Sequence, residues 1–117
     1  MIKNIMLLNN LAYLYSKKGD ERALKLAKEA YQLSPESAGV LDTYGWILLQ
    51  NNNNEQALSL LTKAARMLPN NAEVQYHYAA ALHRTGNKDK ARQIINQIID
   101  SGRSYGWLDD AKALLHD

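Results

Sequence analysis

AGVLDTYGWILLQNNNNEQALSLLTKAARMLPNN, residues 38–71, decides the architecture of this chain. It holds two amphipathic helical patterns on either side of an asparagine-rich turn, with a proline after the second. In the first pattern Leu41, Tyr44, Gly45 and Leu48 recur at i, i+3, i+4 and i+7, which places them on one helix face. In the second, Ala57, Leu61 and Ala64 fall at i, i+4 and i+7. Gly45 and Ala57 are small residues among large ones, so the two backbones are expected to approach closely there. A hairpin of this size cannot bury its apolar faces alone, and the rest of the chain must supply the partner.

It does so by repetition. Upstream, Leu8, Leu11, Ala12 and Tyr15 match the first pattern, and Ala23, Ala27, Ala30 and Pro35 match the second together with Pro69. This copy is one residue shorter, and the deletion falls in the Gly19-Asp20 turn. Downstream, Gln75, Tyr78, Ala79 and Leu82 take the first-helix places, and Ala91, Ile95 and Ile98 the second. Repeats therefore run over about 5–37, 38–71 and 72–103 of a single domain spanning 1–117. Turn chemistry supports this register. Gly19, Asn52 and Gly86 stand where a left-handed residue ends the first helix of each hairpin. Asp20, Asn54 and Asn87 are placed to cap the second helices, and Ser37 and Asn71 the first helices of copies two and three. Pro35 and Pro69 stop the helices before them. After Ser101-Gly102 the pattern changes. Trp107, Ala111, Leu114 and Leu115 form one stripe, read as a seventh helix over about 104–116 that covers the open end of the stack.

Composition limits the function. The chain has 117 residues, two prolines, no cysteine and a net charge of +2. An alanine- and leucine-rich, proline-poor chain with little valine or threonine favours helix over sheet. Basic and acidic residues number six and three over 1–34, two and three over 35–70, and six and six over 71–117. No basic stripe exists, which argues against nucleic acid as a partner. Without cysteine there is no disulfide, thiolate metal site or cysteine nucleophile. No apolar run approaches the ~18 residues of a membrane span, so no direct membrane insertion is expected. His77 and His83 lie six apart on different faces and His116 is remote, so no metal site is expected. They read as surface or groove histidines. Asp20-Glu21 and Asp109-Asp110 are adjacent carboxylates that do not face each other on a helix and read as helix-start charges. There is no phosphate loop and no nucleophile elbow. No cofactor is implied, and the chain does not read as an enzyme. The run Asn51–Asn54 reads as turn chemistry rather than low complexity.

A 34-residue helix–turn–helix unit with this spacing is similar to the tetratricopeptide repeat. That family's pattern has a large residue at position 4, leucine at 7, glycine or alanine at 8, tyrosine or leucine at 11, glycine at 15, alanine at 20, a large residue at 24, alanine at 27 and proline at 32. Copy two carries it at Leu41, Gly45, Leu48, Ala57, Leu61, Ala64 and Pro69. Copy three departs at Gln75, Ile98 and Arg103. The resemblance covers about residues 5–103. It implies an all-α, right-handed α-solenoid of three helical hairpins plus a C-terminal capping helix, seven helices in all. It also implies a scaffold that binds a peptide or partner-protein segment along a concave groove lined by the first helices. NNLAYLY, the shortened turn, LDTYGWIL and YHYAAAL further resemble the C-terminal repeats of the bacterial tetratricopeptide lipoproteins associated with exosortase and PEP-CTERM systems. That resemblance implies a periplasmic compartment if the chain is a fragment of such a protein; a complete chain would be cytoplasmic.

With the core side of each first helix fixed, the groove side follows. Its candidate partner-binding residues are Asn9, Tyr13, Asp42, Thr43, Trp46, Tyr76, His77 and Arg84. Rigid aromatics beside polar groups are the composition of a binding hot spot. The alternative for Trp46, Tyr13 and Tyr76 is packing between neighbouring first helices. Chaperone-binding members of the family hold a carboxylate terminus with lysine, asparagine and arginine at five fixed positions. Here those positions hold Asn9, Tyr13, Thr43, Glu73 and His77, so the cations are missing and no chaperone-tail binding is expected. A second function stays open. Ile2, Ile5 and Met6 are apolar with no repeat before them, which points either to a structural segment of a longer solenoid in a bacterial export or exopolysaccharide system or to weak homo-oligomerisation through the N-terminal helix.

Overall fold

The computed structural model describes residues 4–116. It contains α1 (Ile5–Lys17), α2 (Arg22–Leu33), α3 (Ala38–Gln50), α4 (Asn54–Met67), α5 (Ala72–Arg84), α6 (Lys88–Asp100) and α7 (Leu108–Ala113). A short 3-10 turn, Leu114–His116, follows α7. No strand occurs among the described residues. Successive helices pair as α1 with α2, α3 with α4 and α5 with α6, and the hairpins stack through α2 against α3 and α4 against α5. The stack measures 46 × 26 × 25 Å.

The close approach expected in the central hairpin is present. A methyl group built on Gly45 would lie 2.7 Å from Leu61 Cγ and 3.4 Å from Leu60 Cβ, so α3 presses on α4 where only glycine fits. Ala57, Leu61 and Ala64 opposite are fully buried. Helix ends follow local chemistry. Ser37 and Asn71 accept from the backbone N–H of Val40 and Val74, and Asn87 accepts from that of Lys90. Asn4 does the same for Leu7, a cap the repeat pattern does not reach. Ser34 and Leu68 leave the helical region ahead of Pro35 and Pro69, because a proline ring disfavours the helical conformation of the residue before it.

Two caps differ from expectation. Asp20 sits one residue before the N-cap position of α2, and its carboxylate accepts from the Arg22 N–H and pairs with the Arg22 guanidinium. Asn54 is already the first residue of α4 and caps nothing. The four asparagines nevertheless have separate places. Asn51 donates through its side chain to Ile47 O at the end of α3, Asn52 adopts φ 64°, Asn53 holds the N-cap position and Asn54 enters the helix. Gln75, which breaks the repeat pattern, donates to Ala65 O and Leu68 O and so closes the end of α4 from the next hairpin. The last helix is shorter than the expected 104–116. Gly102 adopts φ 74°, residues 103–107 form an irregular lead-in and turn, and α7 starts only at Leu108.

The chain has two linked cores. The first gathers Leu41, Tyr44, Leu48, Leu60 and Leu61 with the small faces of α1 and α2. The second gathers Tyr76, Ala79, Leu82, Ile95 and Ile98 with Ala111 of α7. Trp46 packs against both.

Candidate functional site

The face shared by α1, α3 and α5 carries the residues on which function can rest. Asp42 and Trp46 are i and i+4 on α3 and point the same way. One repeat later, α5 brings Tyr76 and His77 up to them. His77 Nδ1 lies 2.8 Å from Asp42 Oδ1. A carboxylate has no proton to give, so the ring nitrogen donates. The Trp46 indole stacks on the other side of this pair, with centroids 4.0 Å from the His77 ring and planes 17° apart. Both members are removed from water, His77 at 2% exposure and Asp42 at 8%. The pair is a bolt between α3 and α5. Buried hydrogen-bonded partners of this kind are costly to separate because either group alone is left unsatisfied.

The aromatic surface continues from there. Tyr76 lies 5.5 Å from Trp46 in a tilted arrangement. On its far side it stacks on Trp107, at 4.9 Å and 6°. Trp107 in turn stacks on Tyr105, at 4.6 Å and 11°. The lead-in to α7 therefore extends the row of rings begun on α3. Tyr13 of α1 closes the opposite side, with Lys17 Nζ 4.7 Å above its ring. Together Tyr13, Trp46, Tyr76 and Trp107 border a cavity of about 530 Å³ whose charged walls are Glu73, Asp110 and Lys17.

Both bordering phenols hold their protons more tightly than a free tyrosine. Tyr13 is raised by burial and then by Glu73, its charged hydrogen-bond partner. Tyr76 is pushed up to about 12, first by burial and then by the Asp110 carboxylate. Removal from water and nearby negative charge both disfavour a phenolate.

The candidate residues fare differently. Tyr13 and Trp46 are half-buried and border the cavity. Tyr76 and His77 also reach it but are buried, Tyr76 as part of the second core. His77 is thus neither a surface nor an open-groove histidine. Asp42 and Thr43 are buried beside a smaller cavity of about 210 Å³ that Asn9 and Tyr13 also line. Arg84 is committed elsewhere: its guanidinium donates to Leu49 O at 2.7 Å and ties α5 to the end of α3. Two contributors are not placed at the groove by the sequence: Trp107, read as part of a capping stripe, and Asp110, read as a helix-start charge. Glu73 holds a groove-side position in the repeat but is not among the candidate partner-binding residues. The 35-residue separation of Asp42 and His77, one repeat plus one position, is the signal that would have paired them.

Among the described residues no group of histidine and acidic side chains is arranged to hold a metal ion, and no helix is long and apolar enough to cross a membrane. No curated protein matches the chain. A family model for the tetratricopeptide repeat matches residues 48–115, from late α3 through the 3-10 turn. With that match spanning more than half of its length, and with paired helices stacked to its N-terminal side in the same way, the chain belongs to the tetratricopeptide repeat family.

Proposed function

We propose that this chain is an interaction module that captures a segment of a partner protein across the face shared by α1, α3 and α5. The family's repeats mediate protein–protein interaction, and one observation carries the reading to this face: the cavity bordered by Tyr13, Trp46, Tyr76 and Trp107. Rings held by stacking present contact area at little entropic cost, which is what a hot spot requires. Asn9, Asp42, Thr43 and His77 are the polar supports around these rings, and Arg84 is a brace behind them. The proposed activity is binding.

Trp46→Ala tests this. The substitution removes a half-buried ring from one side of the cavity. Partner capture from the native source, measured with immobilised protein, should fall by about tenfold or more. Capture that is unchanged while the variant stays folded would overturn the reading.

A second reading has an observation of its own. Leu7 and Leu14 occupy the repeat positions of Val40 and Ile47 and of Val74 and Ala81. The latter four are at most 4% exposed, whereas Leu7 and Leu14 are 56% and 53% exposed. The outer face of α1 thus has the composition of an inter-repeat face, and on this reading the chain is a structural segment that continues a solenoid or associates with itself.

A further inference from the structure

We propose that the aromatic cavity seats a lysine or arginine side chain of an extended partner segment. This rests on the partner-groove reading above and adds the chemistry of the occupant.

The cavity's charge is complementary to a cation. Glu73 comes from the start of α5 and Asp110 from the start of α7, so two helices bring a carboxylate each to one cavity. Neither has a cationic partner among the described residues. Their field is felt on both sides: Glu73 contributes to the raised phenol of Tyr13, and Asp110 and Glu73 to that of Tyr76. Asp42 lies deeper and is occupied by His77. Among the described residues Lys17 is the single lysine or arginine on the wall. Arg84, which also acts on Tyr76, has its guanidinium turned to Leu49 O.

Aromatic faces attract a cation through their quadrupole, more strongly where water is excluded. The chain already shows this preference, since Lys17 Nζ stands 4.7 Å above the Tyr13 ring. An arginine or lysine stem is apolar along its length, so the half-buried Trp46 can pack against the stem while the carboxylates meet the head group.

A third observation is independent of charge. In the adjoining cavity, which shares Tyr13 and Glu73, Asn9 Oδ1 is a buried acceptor with no hydrogen-bond partner. The group that would satisfy this acceptor is a donor. Ammonium, guanidinium and the backbone N–H of an extended chain all supply one.

The test uses a displayed library of random peptides panned on the intact chain, followed by affinity measurement on synthetic capped peptides. The expected result is an enriched motif with lysine or arginine at one fixed position. Replacing that arginine with neutral citrulline, or introducing Glu73→Gln together with Asp110→Asn, should each weaken binding about tenfold. Because the double variant also removes a charge from the first turn of α7, the wild type gives a parallel measurement. Its affinity for the basic peptide should fall between about 50 mM and about 500 mM salt. Enriched peptides that lose binding to Trp46→Ala but show no basic preference and no salt dependence would overturn the cation assignment and leave the groove reading standing. No enrichment at all, or binding indifferent to Trp46→Ala, would overturn both.

Discussion

Gly45 shows how one missing methyl can set the spacing of two helices. Glycine in a helix interior costs roughly 1 kcal/mol relative to alanine, so a replacement at an open position would stabilise. Here a Cβ would stand 2.7 Å from Leu61 Cγ and 2.9 Å from its Cδ2. Leu61 is fully buried and has nowhere to go. Overpacking outweighs propensity, and Gly45→Val should destabilise by about 1–3 kcal/mol in urea unfolding. A stabilised or unchanged variant would show that the α3–α4 contact is softer than these distances imply. Tyr76 ties stability to pH. Its folded pKa, about 12, lies above the ordinary value of 10. A raised pKa means the neutral form is the one favoured by folding, so the contribution is complete below pH 10. It is lost as pH rises from about 10 through about 12. Tyr13 acts in the same direction. The urea midpoint should therefore fall over that interval as absorbance reports phenolate formation. A midpoint that stays level there would remove the burial argument for both rings.

At the scale of elements, α7 and its lead-in are more than a cover. Ala111 is fully buried in the second core, and Trp107 stacks on Tyr76 before the helix begins. Truncation after Arg103 removes both and exposes Tyr76 and the α5–α6 surface. The shortened chain should aggregate or unfold at lower urea, detectable by light scattering and circular dichroism. If it were as soluble and as stable as the whole chain, α7 would be an appendage. The helices themselves were legible in the sequence because each writes its period and its ends locally: small residues at the crossing, left-handed turn residues, caps and prolines. What was not legible depends on pairs from different elements. Asn54 looks like a cap until the helix starts on it. Arg84 looks free until Leu49 O is found beside it. Trp107 reads as the first residue of a stripe because nothing local announces that Gly102 and the turn after it delay the helix to Leu108. Asp42 and His77 belong to different repeats, and only stacking brings them to 2.8 Å.

For the whole molecule, the two ends of the stack are unlike. One end is closed by α7. The other presents Leu7 and Leu14, with Met6 73% exposed nearby. Ile5 is half-buried, and Ile2 lies outside the described residues. Exposed leucines at positions that are buried in both other repeats form the face most ready to associate. Under the structural reading, apparent mass in sedimentation should rise with concentration, and Leu7→Glu with Leu14→Glu should abolish the rise without lowering the helical signal. A strict monomer at every concentration would remove self-association and leave the module and solenoid-segment readings standing.

The row of rings from Trp46 to Tyr105 has a practical consequence. The chain has only two tryptophans, and both border the same cavity, one from α3 and one from the lead-in to α7. Nearly all of its intrinsic emission therefore originates at the proposed binding face. One indole is set against His77 inside the stack, the other against Tyr76 at its closed end. An occupant that enters between them perturbs both emitters directly, whereas fraying of the last helix acts first on the second. The protein thus carries a built-in optical gauge that separates occupation of the groove from loosening of its wall, with no label attached.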